Sequence, residues 1–232
     1  LSSMLRSSLR STGFVRRGCR SIFIDTQSTP NPHSMKFLPG KDVLEEGMGT
    51  GVYFQRNDRK DWKRSPLAKE LFKLDEIKGV FFGRDFITIT KNTNGVWNVM
   101  KPQVFSAILD FYSTNLPVLQ EFSEDHISDT TILDTDDEVV ATIKELMETR
   151  IRPAVQDDGG DIFLEGFDPD TGIVTVRLAG SCVGCPSSTA TLRGGVENML
   201  KHYVPEVTGI EDATDHGDGD DEPLVLRHQQ GE

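Results

Sequence analysis

The chain has 232 residues, of which 36% are hydrophobic and 27% charged, and a formal net charge of −12. This length and balance are typical of a globular protein with one or two domains. No stretch approaches the roughly 18 consecutive apolar residues that a membrane-spanning helix needs, so we predict no membrane span. The acidic excess argues against nucleic-acid binding, because neutralising phosphates requires clustered Lys and Arg.

Residues 1–20 differ in composition from the rest of the chain. They contain five arginines and five serines and no acidic residue. This composition is typical of an organelle transit peptide, and a disordered basic tail is the alternative. Without these arginines, 20 basic residues face 37 acidic ones, which favours basic or neutral partners.

Residues 21–119 mix strand-like and helix-like patterns and contain no motif that carries chemistry. Ser65 fits the N-cap of a helix with Pro66 as its first residue. We therefore predict an α+β domain over 21–119. Its predicted elements are strands at 21–27 and 34–39, a helix at 65–74, two short strands within 79–92 and a helix at 101–113.

A second domain is predicted at 136–212, after an acidic linker at 120–135 and before an acidic disordered tail at 213–232. Thr135 and Glu138 fit a capping box for its first helix, and we expect Pro153 and then DDGG at 157–160 to close that region. The predicted order is helix, strand, strand, helix, strand, with a hairpin formed by residues 161–167 and 173–179. The fold class is thus α+β, with two small domains.

The stretch GSCVGCPSS at 180–188 places two cysteines three positions apart, between the hairpin and the last helix. Pro186 fits the first helical position, so Cys185 lies at or beside the N-cap. A helix N-terminus favours anions, so we expect it to stabilise the thiolate forms of Cys182 and Cys185, and thiolates bind soft metals. We expect Gly180 and Gly184 to let the loop bend sharply.

The pair is half of a metal site. An iron-sulfur cluster or a structural zinc ion generally takes four thiolates or imidazoles. The third cysteine, Cys19, lies in the predicted transit peptide, and His202 is near the far end of the predicted helix. The simplest completion is a second copy of the chain, because a two-fold dimer brings two identical loops together. A cluster held by two ligands per chain suits a carrier.

Three alternatives stay open for the cysteine pair. Thiol–disulfide exchange also uses such a pair before a helix, but here the preceding strand belongs to a hairpin rather than to a βαβ unit. A zinc-bridged structural dimer would use the same four sulfurs. Two packed loop cysteines without chemistry are the third alternative.

Glycines nearby carry two further predictions. QDDGGD at 156–161 favours a glycine turn over a metal-binding role. Gly194 and Gly195 suggest either close backbone packing or a break in the last helix.

Two regions resemble known families. IRPAVQDDGGDIFLEGF at 151–167 and LAGSCVGCPSSTATLRGGVENML at 178–200 resemble the NifU-like domain of iron-sulfur cluster biogenesis. Residues 26–40, 64–72 and 79–91 are similar to the Nfu N-terminal domain. Together the chain resembles the mitochondrial Nfu-type, NifU-like iron-sulfur cluster scaffolds.

The resemblance implies a non-enzymatic carrier in the mitochondrial matrix. It implies a 4Fe-4S cluster shared between two subunits and bound by Cys182 and Cys185 of each, in a homodimer or higher oligomer. The implied partners are upstream iron-sulfur assembly factors and recipient apoproteins such as lipoyl synthase, aconitase and respiratory-complex subunits. It implies no catalytic residues.

Overall fold

The computed structural model of the chain describes residues 23–45, 51–59, 61–120, 129–183 and 186–213, with the backbone alone at 186–189. The predicted transit peptide at 1–20 and nearly all of the predicted tail lie outside these ranges. So do residues 121–128 of the predicted linker, and the predicted domain limits therefore stay a prediction. Among the helices that the structure describes, none combines the length and apolar character needed to cross a bilayer.

The first domain is a five-stranded antiparallel sheet with two helices. Its strand order is β1-β2-β5-β4-β3. Ser65 caps the first helix, since its hydroxyl accepts a hydrogen bond from the Ala68 backbone N–H at 3.1 Å, as predicted. The elements are β1 Asp25–Ser28, β2 Ser34–Leu38, β3 Gly51–Gln55, α1 Pro66–Leu71, β4 Ile77–Gly83, β5 Ile87–Lys91 and α2 Trp97–Ser113.

Two of these elements differ from the sequence prediction. Strand β3 has no predicted counterpart, because it is a short edge strand whose pairing with β4 is a tertiary property. Helix α2 begins four residues before its predicted start, with Pro102 inside it. Pro102 lies close enough to the helix start that the loss of its N–H interrupts the ladder only once.

The second domain packs three helical segments and α5 with a three-stranded sheet ordered β6-β7-β8. The predicted hairpin, last helix and last strand are confirmed, as is the α+β class with two domains. Gly194 and Gly195 lie inside a continuous helix, so the predicted alternative of a break is wrong. The alternative of close backbone packing is also wrong for the described residues, because nothing lies within 4 Å of a Cβ built at either glycine. The elements are α3 Glu138–Leu146, a π turn Met147–Ile151, α4 Arg152–Asp157, β6 Gly160–Asp168, β7 Ile173–Gly180, α5 Pro186–Tyr203 and β8 Gly209–Asp212.

Two local predictions in this domain are wrong. Asp137, not Thr135, is the N-cap of α3, because its carboxylate accepts the Val140 N–H at 2.7 Å. The helical path continues through Pro153, after a π turn, and ends at Asp157, where DDGG begins, as predicted. Strand β7 pairs in parallel with β8, so β7, α5 and β8 form a βαβ unit as well as a hairpin with β6.

A buried arginine ties the second domain together. Arg152 is 2% exposed and donates from Nη2 to both carboxylate oxygens of Asp129, at 2.7 and 2.6 Å. It also donates to Glu148 and to the Ile162 carbonyl. Its Nε lies 3.3 Å from the fully buried Asp161 carboxylate. The start of β6 is therefore fixed to α4 by charge as well as by apolar packing.

Replacing this arginine should strongly destabilise the domain. In Arg152→Met the carboxylate of Asp161 is left buried without its cation, and we expect unfolding free energy to fall by about 3–5 kcal/mol in urea denaturation. Arg177→Met is the matched control, because its ion pair with Glu165 is nearly half exposed and is worth about 0–1 kcal/mol. Equal losses in the two variants would contradict this account.

Candidate functional site

The predicted cysteine pair lies where β7 meets α5. Cys182 follows the end of β7 by two residues, and α5 begins at Pro186, the predicted first helical residue. Gly184 and Cys185 lie outside the described residues. The structure thus places Cys182, and the approach of the two sulfurs to each other stays a prediction.

Two glycine turns lie side by side under this loop. Gly180 has φ +68° and Gly159 has φ +80°, a backbone region that favours glycine. A side chain at Gly180 would lie 2.8 Å from the Gly159 carbonyl, so the two turns touch backbone to backbone. The Ser181 hydroxyl donates to the Asp158 carbonyl at 2.6 Å. The glycines of QDDGGD therefore form the predicted turn, and they support the cysteine loop.

The sulfur of Cys182 is enclosed by the second domain. The residue is 6% exposed and belongs to the apolar core that includes Val155, Ile162 and Leu200. Gly160 makes room for it, because a Cβ built at that position would lie 2.3 Å from Sγ. The absence of a side chain at Gly160 is thus a geometric requirement of the cysteine's position.

The pKa of Cys182 is raised to about 12, mainly because burial disfavours the charged thiolate. The carboxylates of Asp158, Asp161 and Asp212 raise it further, and the Ser181 hydroxyl opposes them. The expectation that α5 stabilises this thiolate is therefore wrong for Cys182. The helix begins four residues later, and burial has the largest effect on this pKa.

An apolar cavity of about 560 Å³ opens beside Cys182. Helices α4 and α5 form most of its wall through residues such as Val155, Leu192 and Met199. Pro30 and Asn31 of the first domain line it as well. The first domain therefore reaches the immediate surroundings of the candidate ligand.

The described residues do not complete a metal site within one chain. Among them, no group of three His, Cys, Asp or Glu side chains could hold a metal ion. His33 lies in a turn, 3.4 Å from the Lys91 ammonium. His202 is at the far end of α5, with its ring edge-on to Tyr203. Neither of these two histidines lines the cavity beside Cys182.

Sequence reasoning missed two residues that shape this site. Asn31 donates through its amide to the carbonyls of Ser181 and Val183, at 2.9 and 3.3 Å. Gly160 was assigned only to a turn. A buried asparagine in a turn-rich stretch carries no sequence signal for a contact 150 residues away, whereas the paired glycines are a usable signal of close backbone approach.

A side chain at residue 160 should disturb both the fold and the cysteine. In Gly160→Ala the new methyl group would overlap Cys182 Sγ and lie 2.8 Å from the Ala179 carbonyl. We expect a loss of about 1–3 kcal/mol in unfolding free energy, measured by urea denaturation. Gly166→Ala in the same strand is the control, because nothing lies within 4 Å of its added Cβ. A larger loss in Gly166→Ala would refute this assignment.

The buried thiol should also make stability depend on alkaline pH. The folded protein keeps the Cys182 proton between the ordinary pKa of 9.0 and about 12, whereas the unfolded chain loses it. The contribution is complete below pH 9 and declines as pH rises toward 12. We expect unfolding free energy to fall less steeply over this range in Cys182→Ala than in the unsubstituted protein. Identical slopes would show that Cys182 titrates normally in the folded state.

Comparison with known proteins gives matches along most of the chain. Residues 24–115 match the family model "Scaffold protein Nfu/NifU N terminal", and residues 143–211 match "NifU-like domain". The solution NMR structure of a NifU-like protein from Saccharomyces cerevisiae is 26% identical, covering 44% of this chain and 87% of that one, with a TM-score of 0.40.

Two curated relatives are similar over much greater lengths. "NifU-like protein 4, mitochondrial" of Arabidopsis thaliana is 50% identical over 207 residues, which is 89% of this chain and 70% of the relative. "NFU1 iron-sulfur cluster scaffold homolog, mitochondrial" of Drosophila erecta is 50% identical over 201 residues, 87% of this chain and 68% of the relative. The chain therefore belongs to the Nfu/NifU-like family of scaffold proteins.

Proposed function

We propose that this protein is a non-enzymatic iron-sulfur cluster scaffold and carrier that holds a 4Fe-4S cluster between two copies of the chain. Cys182 and Cys185 of each copy are the ligands. The observation that carries the proposal is the cysteine pair at the junction of β7 and α5, in a chain whose relatives include a named iron-sulfur cluster scaffold homolog.

The number of available ligands supports a shared site. A 4Fe-4S cluster takes four thiolates, and the chain has two cysteines outside residues 1–20. Two copies related by a two-fold axis supply the four sulfurs without any further protein.

Thiol–disulfide exchange is the main alternative within the same motif. The topological argument against it no longer stands, because β7, α5 and β8 form a βαβ unit. Burial raises the pKa of Cys182 to about 12. This disfavours exchange and cluster binding alike, because both use the thiolate, so reduction of a model disulfide is the measurement that separates them. A zinc-bridged dimer uses the same sulfurs and is distinguished by metal content.

The proposed site of action is the mitochondrial matrix. The relatives in Arabidopsis thaliana and Drosophila erecta are named as mitochondrial. We propose that the protein receives its cluster from upstream iron-sulfur assembly factors and delivers it to apoproteins such as lipoyl synthase, aconitase and respiratory-complex subunits. Ligation by two residues per chain favours release, because the thiols of a recipient can replace the four ligands one at a time.

Cysteine substitution tests the ligand assignment. Anaerobic reconstitution with iron and sulfide should give a coloured protein with about four irons per two chains. Cys182→Ser and Cys185→Ser should each lose this iron, because a serine hydroxyl replaces a thiolate ligand. Iron and acid-labile sulfide are measured chemically, and the fold is checked by circular dichroism.

Cys19→Ser is the matched control, since it makes the same substitution outside the pair and should keep the full iron content. A full cluster in Cys182→Ser or in Cys185→Ser would overturn the assignment. A colourless protein with one zinc per two chains would favour the zinc-bridged dimer. Reduction of a model disulfide by the apoprotein would favour exchange.

A further inference from the structure

The two domains meet at the candidate cluster loop. A small apolar cluster joins Phe81 and Phe86 of the first sheet to Ala179 of β7. Beside it, the Lys36 ammonium donates to the Gln156 carbonyl at 3.1 Å. This contact is separate from the apolar cores of the two domains. The apolar contact between the domains is therefore small.

One side chain of the first domain holds the loop directly. Asn31 is 1% exposed, and its amide donates to the Ser181 carbonyl at 2.9 Å and to the Val183 carbonyl at 3.3 Å. These two carbonyls lie on either side of Cys182 in the sequence. A single amide thus fixes the backbone before and after the candidate ligand.

Asn31 is itself held firmly in place. Its side-chain oxygen accepts the His33 N–H at 2.9 Å, and its carbonyl accepts the Thr29 hydroxyl at 2.8 Å. The Trp97 indole N–H donates to the Pro32 carbonyl at 3.1 Å, which ties the turn to α2. We refer to residues 29–33 as the clasp loop. The first domain presents the Asn31 amide in a fixed orientation.

The closed position of the Cys182 loop does not allow the proposed binding of a shared cluster. A sulfur that binds a cluster shared with another chain must reach the protein surface, whereas Cys182 is 6% exposed. The clasp loop also forms one wall of the cavity beside Cys182, through Pro30 and Asn31. The second domain encloses the sulfur, so it can meet a shared cluster only when the loop that carries it moves out of that core, and this movement requires the contacts between Asn31 and the loop to open.

We propose that the clasp loop is an intramolecular gate, in which the Asn31 amide keeps the Cys182 loop closed and controls access to its sulfur. The biological role of this gate rests on the proposed function, because the sulfur that it covers is the proposed cluster ligand. The effect of the two hydrogen bonds on the exposure of the sulfur can be tested without a cluster. Breaking the two hydrogen bonds should expose the sulfur while both domains stay folded.

Asn31→Asp in the full chain tests the gate. The aspartate keeps the acceptor for the His33 N–H, but its carboxylate oxygens face the two carbonyls without a proton to donate. The measurement is the rate at which iodoacetamide alkylates Cys182 in the apoprotein at fixed pH, with Cys182 and Cys185 told apart by tandem mass spectrometry. We expect this rate to rise about ten-fold, because hydrogen bonds of this kind are lost. Asn92→Asp is the matched control, because Asn92 also caps a turn in the first domain, through the N–H groups of Asn94 and Gly95. It should leave the rate unchanged.

Global unfolding would also expose the thiol, so the unfolding free energy of each variant is measured in urea. Two results would overturn the gate. One is an unchanged rate of Cys182 alkylation in Asn31→Asp, and the other is an increase in that rate no larger than its loss of unfolding free energy would cause through global unfolding. Lys36→Met removes a second polar contact between the domains and should accelerate alkylation in the same direction. Alkylation rates in both Lys36→Met and Asn31→Asp equal to that of the unsubstituted protein would likewise overturn it.

Failure of the unsubstituted protein to take up iron and sulfide would instead count against the proposed function. The gate would still be testable, because alkylation is measured on the apoprotein.

Discussion

The close contact between two glycine turns determines where Cys182 lies. Gly180 approaches the Gly159–Gly160 turn so closely that a side chain at Gly180 or Gly160 would collide with backbone atoms. This approach brings the end of β7 beside the start of β6 and directs the cysteine sulfur into the core. The buried thiol, its raised pKa and the adjacent cavity all follow from that arrangement.

Two different kinds of interaction hold this arrangement from opposite sides. Within the second domain, the Arg152 ion pairs fix α4 and the first residues of β6, and so fix the turn between them. From the first domain, the Asn31 amide holds the backbone on both sides of Cys182. The internal network is buried and charged and is costly to break, whereas the contact between domains depends on a few hydrogen bonds, one of them from the Lys36 ammonium, and on a small apolar cluster. The second contact is therefore the one suited to opening.

Features set by local sequence were predictable. The Ser65 cap, the β6-β7 hairpin and the start of α5 at Pro186 depend on neighbouring residues and on alternation of apolar positions, and the structure has all three. Strand β3 and the parallel pairing of β8 depend on distant partners and left no local signal. Thr135 was predicted as the cap of α3 from its spacing to Glu138, whereas Asp137, two residues later, is the cap in the structure.

The sequence identifies candidate ligands, but it does not show their burial or their pKa. Spacing and residue type identified Cys182 and Cys185 as a candidate pair, because thiolates bind soft metals. Spacing could not show that Cys182 is buried beside Gly160, and so the expected lowering of its pKa was wrong. Desolvation depends on tertiary packing, as does the contact with Asn31.

The central claim is that each chain carries half of a cluster site. Native mass spectrometry of the anaerobically reconstituted protein tests it most directly, because it reports chain number and bound iron and sulfide in the same ion. The account predicts that a cluster of four irons and four sulfides is found on dimers or their multiples and is absent from single chains. A single chain that carries the complete cluster would contradict it.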